Sequence, residues 1–108
     1  MTEAILDPLA QLNRWTADGK KTALATVVAT WGSSPRPVGS HMAIQESGDF
    51  SGSVSGGCIE GAVVDAALEA IKSGTTKLLE YGVSNEAAWE VGLACGGRVQ
   101  VFVESVTV

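Results

Sequence analysis

Two cysteines, one histidine and three prolines leave this 108-residue chain poor in several kinds of chemistry. Two thiols and one imidazole lack the paired spacing of a zinc site, and they are too few for a disulfide framework. No Ser-His-Asp order and no paired-carboxylate motif recommends hydrolysis. Only 7 Lys and Arg stand against 12 Asp and Glu, a net charge of −5, which argues against nucleic acid as a partner because a phosphate backbone requires clustered cations. No apolar run approaches the ~20 residues of a membrane span. The acidic start Met1-Thr-Glu-Ala lacks the basic opening of a signal peptide, so a cytoplasmic protein with reduced cysteines is expected.

What is present fits a globular α/β domain. Hydrophobic residues make up 45% of the chain and glycine 13 positions, enough for one core with tight turns but not for two domains. Ile5, Leu9, Leu12 and Trp15 fall near helical spacing, up to a stop at Asp18-Gly19. Asp7-Pro8 reads either as the cap of a helix beginning at Pro8 or as a kink in a longer one. Residues 22–31 form a nearly continuous apolar, β-branched run, which suits a central strand covered on both faces. A short strand is expected over 41–46, a turn at Gly48-Asp49, and a return strand from Phe50 to Val54. Ile59, Ala62, Val63, Ala66, Ala67, Ala70 and Ile71 mark an amphipathic helix ending at Gly74. A strand over 76–81, a short capped helix over 84–89 and a final strand carrying Val99, Val101 and Val103 complete the reading. The expected fold is α/β: a single domain with a mixed β-sheet packed with helices.

The chemistry is concentrated in three loops at strand ends, where α/β sheets tend to gather a shared crevice. In the turn Gly52-Ser-Val-Ser-Gly-Gly-Cys-Ile-Glu60, Cys58 stands in or beside the first turn of a helix. Unpaired N–H groups and the macrodipole there lower a thiol pKa, making Cys58 a candidate nucleophile or metal ligand. Gly56 and Gly57 allow close approach of an anion such as phosphate. Equally, a Gly-Gly-Cys turn can be simple packing around a small buried cysteine. Arg36, in the second loop, carries the planar fork that suits phosphate. Ser33, Ser34, Ser53 and Ser55 are candidate phosphate donors, though serines also cap turns. Glu60 is a candidate proton acceptor or merely a first-turn acid that favours the dipole. Cys95, Gly96 and Gly97 form the third loop, and Cys95 reads better as a buried residue because no helix start follows it. His41 suits a strand-end role, and Trp31, Trp89 and Phe102 suit core or interface positions.

Together Ala25-Thr-Val-Val28, Gly32-Ser-Ser-Pro-Arg-Pro-Val-Gly39, Gly52 to Glu60 and Gly92-Leu-Ala-Cys-Gly-Gly97 give a chain that resembles the XdhC/CoxI family, the accessory proteins of molybdenum hydroxylases such as xanthine dehydrogenase. The resemblance runs over about residues 10–104. It implies transient binding of molybdenum cofactor (molybdopterin), support of its sulfuration, and insertion into a hydroxylase apoenzyme: a maturation factor rather than an enzyme. A cysteine desulfurase is an implied partner, and a homodimer is expected. Under this reading the cofactor site draws on Arg36, Ser34, Ser53, Ser55, Gly56, Gly57, Cys58, Glu60, Cys95, Gly96 and Gly97. Cys58 is then the candidate reactive residue and molybdenum ligand, in keeping with the affinity of soft sulfur for such metals. Longer family members carry a Rossmann-like domain after this region. Residues 1–108 read as the first domain alone, with no dinucleotide-binding fingerprint, so a stand-alone form or a separate companion chain is expected. The alternative is a small thiol-dependent enzyme or redox module pairing Cys58 with Cys95, against which the absence of Cys-x-x-Cys counts.

Overall fold

The computed structural model describes residues 7–31, 37–54, 59–81 and 98–106. They form α1 (Pro8–Ala17), β1 (Thr22–Trp31), β2 (His41–Gln45), β3 (Phe50–Gly52), α2 (Glu60–Ser73), β4 (Thr76–Tyr81) and β5 (Arg98–Val106). The expected helix over 84–89, the Gly92–Gly97 loop and the stretch 32–36 lie outside the described residues.

Local chemistry sets the ends of these elements. Asp7 is the N-cap of α1, and its Oδ2 accepts from the N–H groups of Leu9 at 3.1 Å and Ala10 at 3.4 Å. Pro8 fills the first helical position, where a missing N–H costs nothing. The capped start, and not the kink, is therefore what Asp7-Pro8 encodes. Between β2 and β3 the N–H of Gln45 donates to the carbonyl of Asp49, and that of Gly48 to Gln45, each at 2.8 Å. The return strand stops at Gly52, two residues short of expectation. There φ is +91°, and the backbone leaves the extended region. Helix α2 closes on Gly74, left-handed at φ +70°, whose N–H donates to the carbonyl of Ala70 at 2.8 Å.

The five strands form one sheet in the order β3-β2-β1-β5-β4. The α/β class and the helix-on-sheet packing are as expected. The pairing is not mixed: all four ladders among the described strands are antiparallel. Four successive antiparallel pairings leave β3 and β4 running the same way, so α2 does join two parallel-running strands. It sets them on opposite edges of the sheet, however, with three strands between them.

Strand β1 is central, as its apolar run indicates, but one face is better covered than the other. Ala23, Ala25 and Val27 are fully buried in the core with Met42, Ile44, Val63, Ala67, Val101 and Val103. On the reverse face Leu24 and Thr26 are half-buried, and Val28 is 43% exposed. Val28 is the extra residue of a bulge, where the register with β5 shifts between Val27 and Ala29. Helix α2 packs mainly on β5 and β1, and α1 mainly on β2. The alanines of α2 allow this close approach, and each fully buried valine of the core contributes about 1.5–3 kcal/mol. Among the described residues no helix is long and apolar enough to cross a membrane.

Candidate functional site

Strand direction brings the three unusual segments to one end of the sheet. The register pairs Trp31, the last residue of β1, with Arg98, the first of β5, and pairs Tyr81, the last of β4, with Val99. On the other side His41, which opens β2, pairs with Thr26, and Gly52, which ends β3, pairs with Met42. The segments 32–36, 55–58 and 82–97 are thus all anchored at this end. Of the candidate residues, Ser53 and Glu60 are described. Arg36, Ser34, Ser55, Gly56, Gly57, Cys58, Cys95, Gly96 and Gly97 lie outside the described residues, as do Ser33 and Trp89.

The described part of the Gly-Gly-Cys segment is held by Glu60. This residue is the first of α2, and Ile59, its N-cap, supplies no side-chain cap hydrogen bond. The Glu60 side chain is 8% exposed and turns back toward the end of β3. Its Oε2 accepts from the hydroxyl of Ser53 at 2.5 Å and from the N–H of Val54 at 3.0 Å. One carboxylate oxygen therefore ties the residues just before the 55–58 segment to the residues just after it. Charge-assisted bonds of this kind are shorter and about twice as strong as neutral ones. Val54 and Ile59 are buried beside the clamp and join the main core, which anchors both ends apolarly. In this arrangement Ser53 commits its proton to Glu60, and Glu60 serves as an acceptor that frames the segment.

A second junction stands on the face that α2 leaves uncovered. The guanidinium carbon of Arg98 lies 4.1 Å from the centre of the Trp31 ring, a cation–π contact, and Arg98 Nε meets Glu80 Oε2 at 3.0 Å. These three residues link the end of β1, the start of β5 and the end of β4. Trp31 is 42% exposed, so its place is a strand-end stack rather than the core. The hydroxyl of Thr26 and Nδ1 of His41 share a hydrogen bond at 3.1 Å, which gives the single histidine a strand-end role. Burial, reinforced by the Asp65 carboxylate, raises the Tyr81 pKa above its usual value of 10.0.

Sequence reasoning treats Ser53 and Glu60 separately, as a phosphate donor and a proton acceptor, and does not reveal that they bond to each other. They stand seven residues apart, a spacing that matches no capping motif. It misses Arg98 altogether, although a cation directly after the pair Gly96-Gly97 is a usable signal. A cleft of about 390 Å³ lined in part by Lys20, Lys21, Ile71 and Val106 lies at the opposite end of the sheet and holds none of the candidate residues.

A small antiparallel sheet with one long crossover helix and chemistry-bearing segments anchored at one end defines a loop-presenting α/β module. Residues 15–82 match the XdhC and CoxI family, and the chain belongs to that family. It is 38% identical over 88 residues to the molybdenum cofactor insertion chaperone PaoD of Escherichia coli, a match that covers 82% of this chain and 27% of that protein. A probable xanthine dehydrogenase subunit of Bacillus subtilis is 32% identical over 92 residues, covering 83% of this chain and 28% of its own. The crystal structure of a xanthine dehydrogenase from Bacillus halodurans superposes with a TM-score of 0.79 at 27% identity, over 95% of this chain and 31% of that one. The chain therefore spans between a quarter and a third of the length of these relatives.

Proposed function

We propose that this protein binds molybdenum cofactor transiently through the segments anchored at the Trp31–Gly52–Tyr81 end of the sheet and passes it to the apoenzyme of a molybdenum hydroxylase. Family membership and the likeness to a molybdenum cofactor insertion chaperone support the cofactor. The observation that carries the site is the shared end at which all three segments are anchored.

The residues present fit the group. The cofactor brings a phosphate and a dithiolene-bound metal. The Gly-Gly-Cys segment leads into the N-terminal end of α2, where the helix dipole favours an anionic group. The Glu60 carboxylate occupies the same helix end, and a phosphate there needs a compensating cation. Arg36 is the residue of that type within the three segments. Gly56 and Gly57 would let backbone N–H groups approach the ligand, and Ser34 and Ser55 would add hydroxyl donors. Cys58 would face the metal–sulfur end as a ligand or as a carrier of sulfur, with Cys95, Gly96 and Gly97 beside it. When bound, the cofactor supplies the metal and sulfur chemistry; this chain's own part is to hold, orient and release it.

The finer parts of the proposal concern partners. Support of sulfuration brings in a cysteine desulfurase as sulfur source, and a Rossmann-domain companion chain and a homodimer complete the assembly. The test is reconstitution: a cofactor-free hydroxylase is given purified molybdenum cofactor with and without this protein, and with and without the companion. Faster or more complete activation in its presence is expected. Activation that this protein leaves unchanged under both conditions would overturn the proposal.

A further inference from the structure

Alternation along β5 sends Val99, Val101 and Val103 into the core and leaves Arg98, Gln100, Phe102 and Glu104 on the reverse face. The ladders set Leu78 of β4 and Thr26 of β1 beside Phe102, and Glu80 beside Gln100. Helix α2 packs on the core face. Helix α1 covers the β2 side of the reverse face, where Ala43, the ladder partner of Leu24, is fully buried. The remainder of that face presents apolar side chains to solvent. Leu78 is 60% exposed, Val28 and Trp31 are exposed, and Leu24 and Phe102 are half-buried. Contiguous apolar surface of this kind marks interaction sites.

The charges on the face select the occupant. Arg98 stands at one end of the outward row of β5 and Glu104 at the other, with Phe102 between them. Read in reverse, the row is complementary to itself. Two copies stacked with β5 parallel would set Arg98 on Arg98 and Glu104 on Glu104. Stacked with β5 antiparallel, each Arg98 faces the partner's Glu104, and the Phe102 and Leu78 side chains of both copies fill the space between. A two-fold axis between the sheets gives this arrangement and uses one patch on both copies. Stacked sheets lie about 10 Å apart, a gap that an arginine and a glutamate span together. The nine residues of β5 extend about 30 Å, and β1, β5 and β4 at ~4.8 Å spacing add about 15 Å of width. That footprint belongs to the small interfaces, those under about 1,200 Å² in total, which are weak.

We propose that the open part of the reverse face, carrying Val28, Trp31, Leu78, Arg98, Phe102 and Glu104, is a homodimer interface in which two copies stack sheet to sheet with β5 antiparallel. The inference rests on the homodimer of the proposed function and gives it a surface. Association is read without cofactor, so a monomer that still activates the hydroxylase overturns this interface alone.

The experiment is analytical ultracentrifugation of the whole chain from about 1 to 500 μM, a range that brackets a weak dimer. It compares wild type, Leu78→Glu, Arg98→Glu, Glu104→Arg and the double variant Arg98→Glu/Glu104→Arg, with circular dichroism to confirm each fold. Wild type should dimerise within the range, and Leu78→Glu should raise the dimer Kd about tenfold or more. Arg98→Glu and Glu104→Arg should each weaken the dimer, and the double variant should recover to within about threefold of wild type. Arg98→Glu also breaks the contacts with Glu80 and Trp31, so recovery in the double variant is what separates a charge pair across the interface from local damage. Should Arg98→Glu fail to fold, Leu78→Glu and Glu104→Arg decide the matter. Monomeric wild type throughout the range would overturn the proposal and leave the face to the hydroxylase. A dimer that Leu78→Glu leaves intact would overturn it too. A double variant no tighter than the singles would overturn the antiparallel stacking.

Discussion

Replacing Gly52 by alanine should be among the most damaging single changes in this protein, although it adds one methyl group. Gly52 sits at φ +91°, where an L residue pays about 1–2 kcal/mol for its backbone conformation. The new Cβ would also collide with the His41 carbonyl oxygen and with Cγ of Pro8. That carbonyl belongs to the β2 backbone next to Met42, the ladder partner of Gly52, so it has little room to retreat. Overpacking of this kind costs typically about 1–3 kcal/mol. The two contributions together give about 2–5 kcal/mol, a large share of the ~5–15 kcal/mol that stabilises an ordinary domain. For a domain near 100 residues, with about 4–8 °C lost for each kcal/mol, the melting temperature should fall by roughly 8–40 °C. Gly48→Ala is the matched control: its φ is +95°, and a Cβ there meets nothing within 4 Å. It should lose only the backbone part. Urea unfolding of both variants, followed by circular dichroism, separates the two contributions. Equal losses at Gly48 and Gly52, or a loss below about 1 kcal/mol at Gly52, would refute the steric argument.

Asp7→Ala removes the acceptor for the N–H groups of Leu9 and Ala10 and should cost about 1 kcal/mol in denaturant unfolding, while Asp7→Asn should recover most of it. Thr22 is fully buried and its hydroxyl has no partner among the described residues, so Thr22→Val should leave stability unchanged or raise it by about 1 kcal/mol, read as a shift of the urea midpoint. Tyr81 has its pKa raised by burial and by Asp65, so folding favours its neutral form. That contribution is complete below the unfolded value near 10 and is lost as pH rises through the folded value. Tyr81→Phe, which keeps the ring, should therefore flatten the alkaline arm of a stability–pH curve above pH ~10 and leave the neutral region unchanged.

Elements with an uninterrupted pattern were legible from the sequence because one physical cause dominates each. The bounds of β1 fall where its apolar, β-branched run starts and stops, β4 covers the 76–81 expected after Gly74, and the alternation of Val99, Val101 and Val103 reads directly as the buried face of β5. The Ala/Val/Ile stripe and Gly74 located α2, whereas Asp7-Pro8 left a cap and a kink open until the Asp7 side chain was seen to accept from Leu9 and Ala10. Sheet order was not legible, because it depends on where the α2 crossover lands, and that is set by packing far from the crossover in sequence. The bulge at Val28 was hidden within an apolar run with no glycine to mark it. At the candidate site, residue type and loop position were readable. The mutual bonds of Ser53 and Glu60, and the stacking of Arg98 on Trp31, are tertiary contacts that no local pattern announces. The family resemblance rested on four ordered motifs, and the first three fall within the matched residues 15–82.

The central claim is that the Arg36 and Gly-Gly-Cys segments together form a surface for molybdenum cofactor. Equilibrium titration of purified cofactor into wild type, Arg36→Ala and Cys58→Ser, with each fold checked by circular dichroism, tests it most directly. Loss of a charge-assisted contact costs on the order of 1.5–3 kcal/mol, so Arg36→Ala should bind roughly ten- to a hundred-fold more weakly than wild type. Cys58→Ser, which preserves size, should also bind measurably more weakly while remaining folded. Wild type that fails to bind, or two variants that bind as wild type does, would contradict the claim and reduce Cys58 to a packing residue.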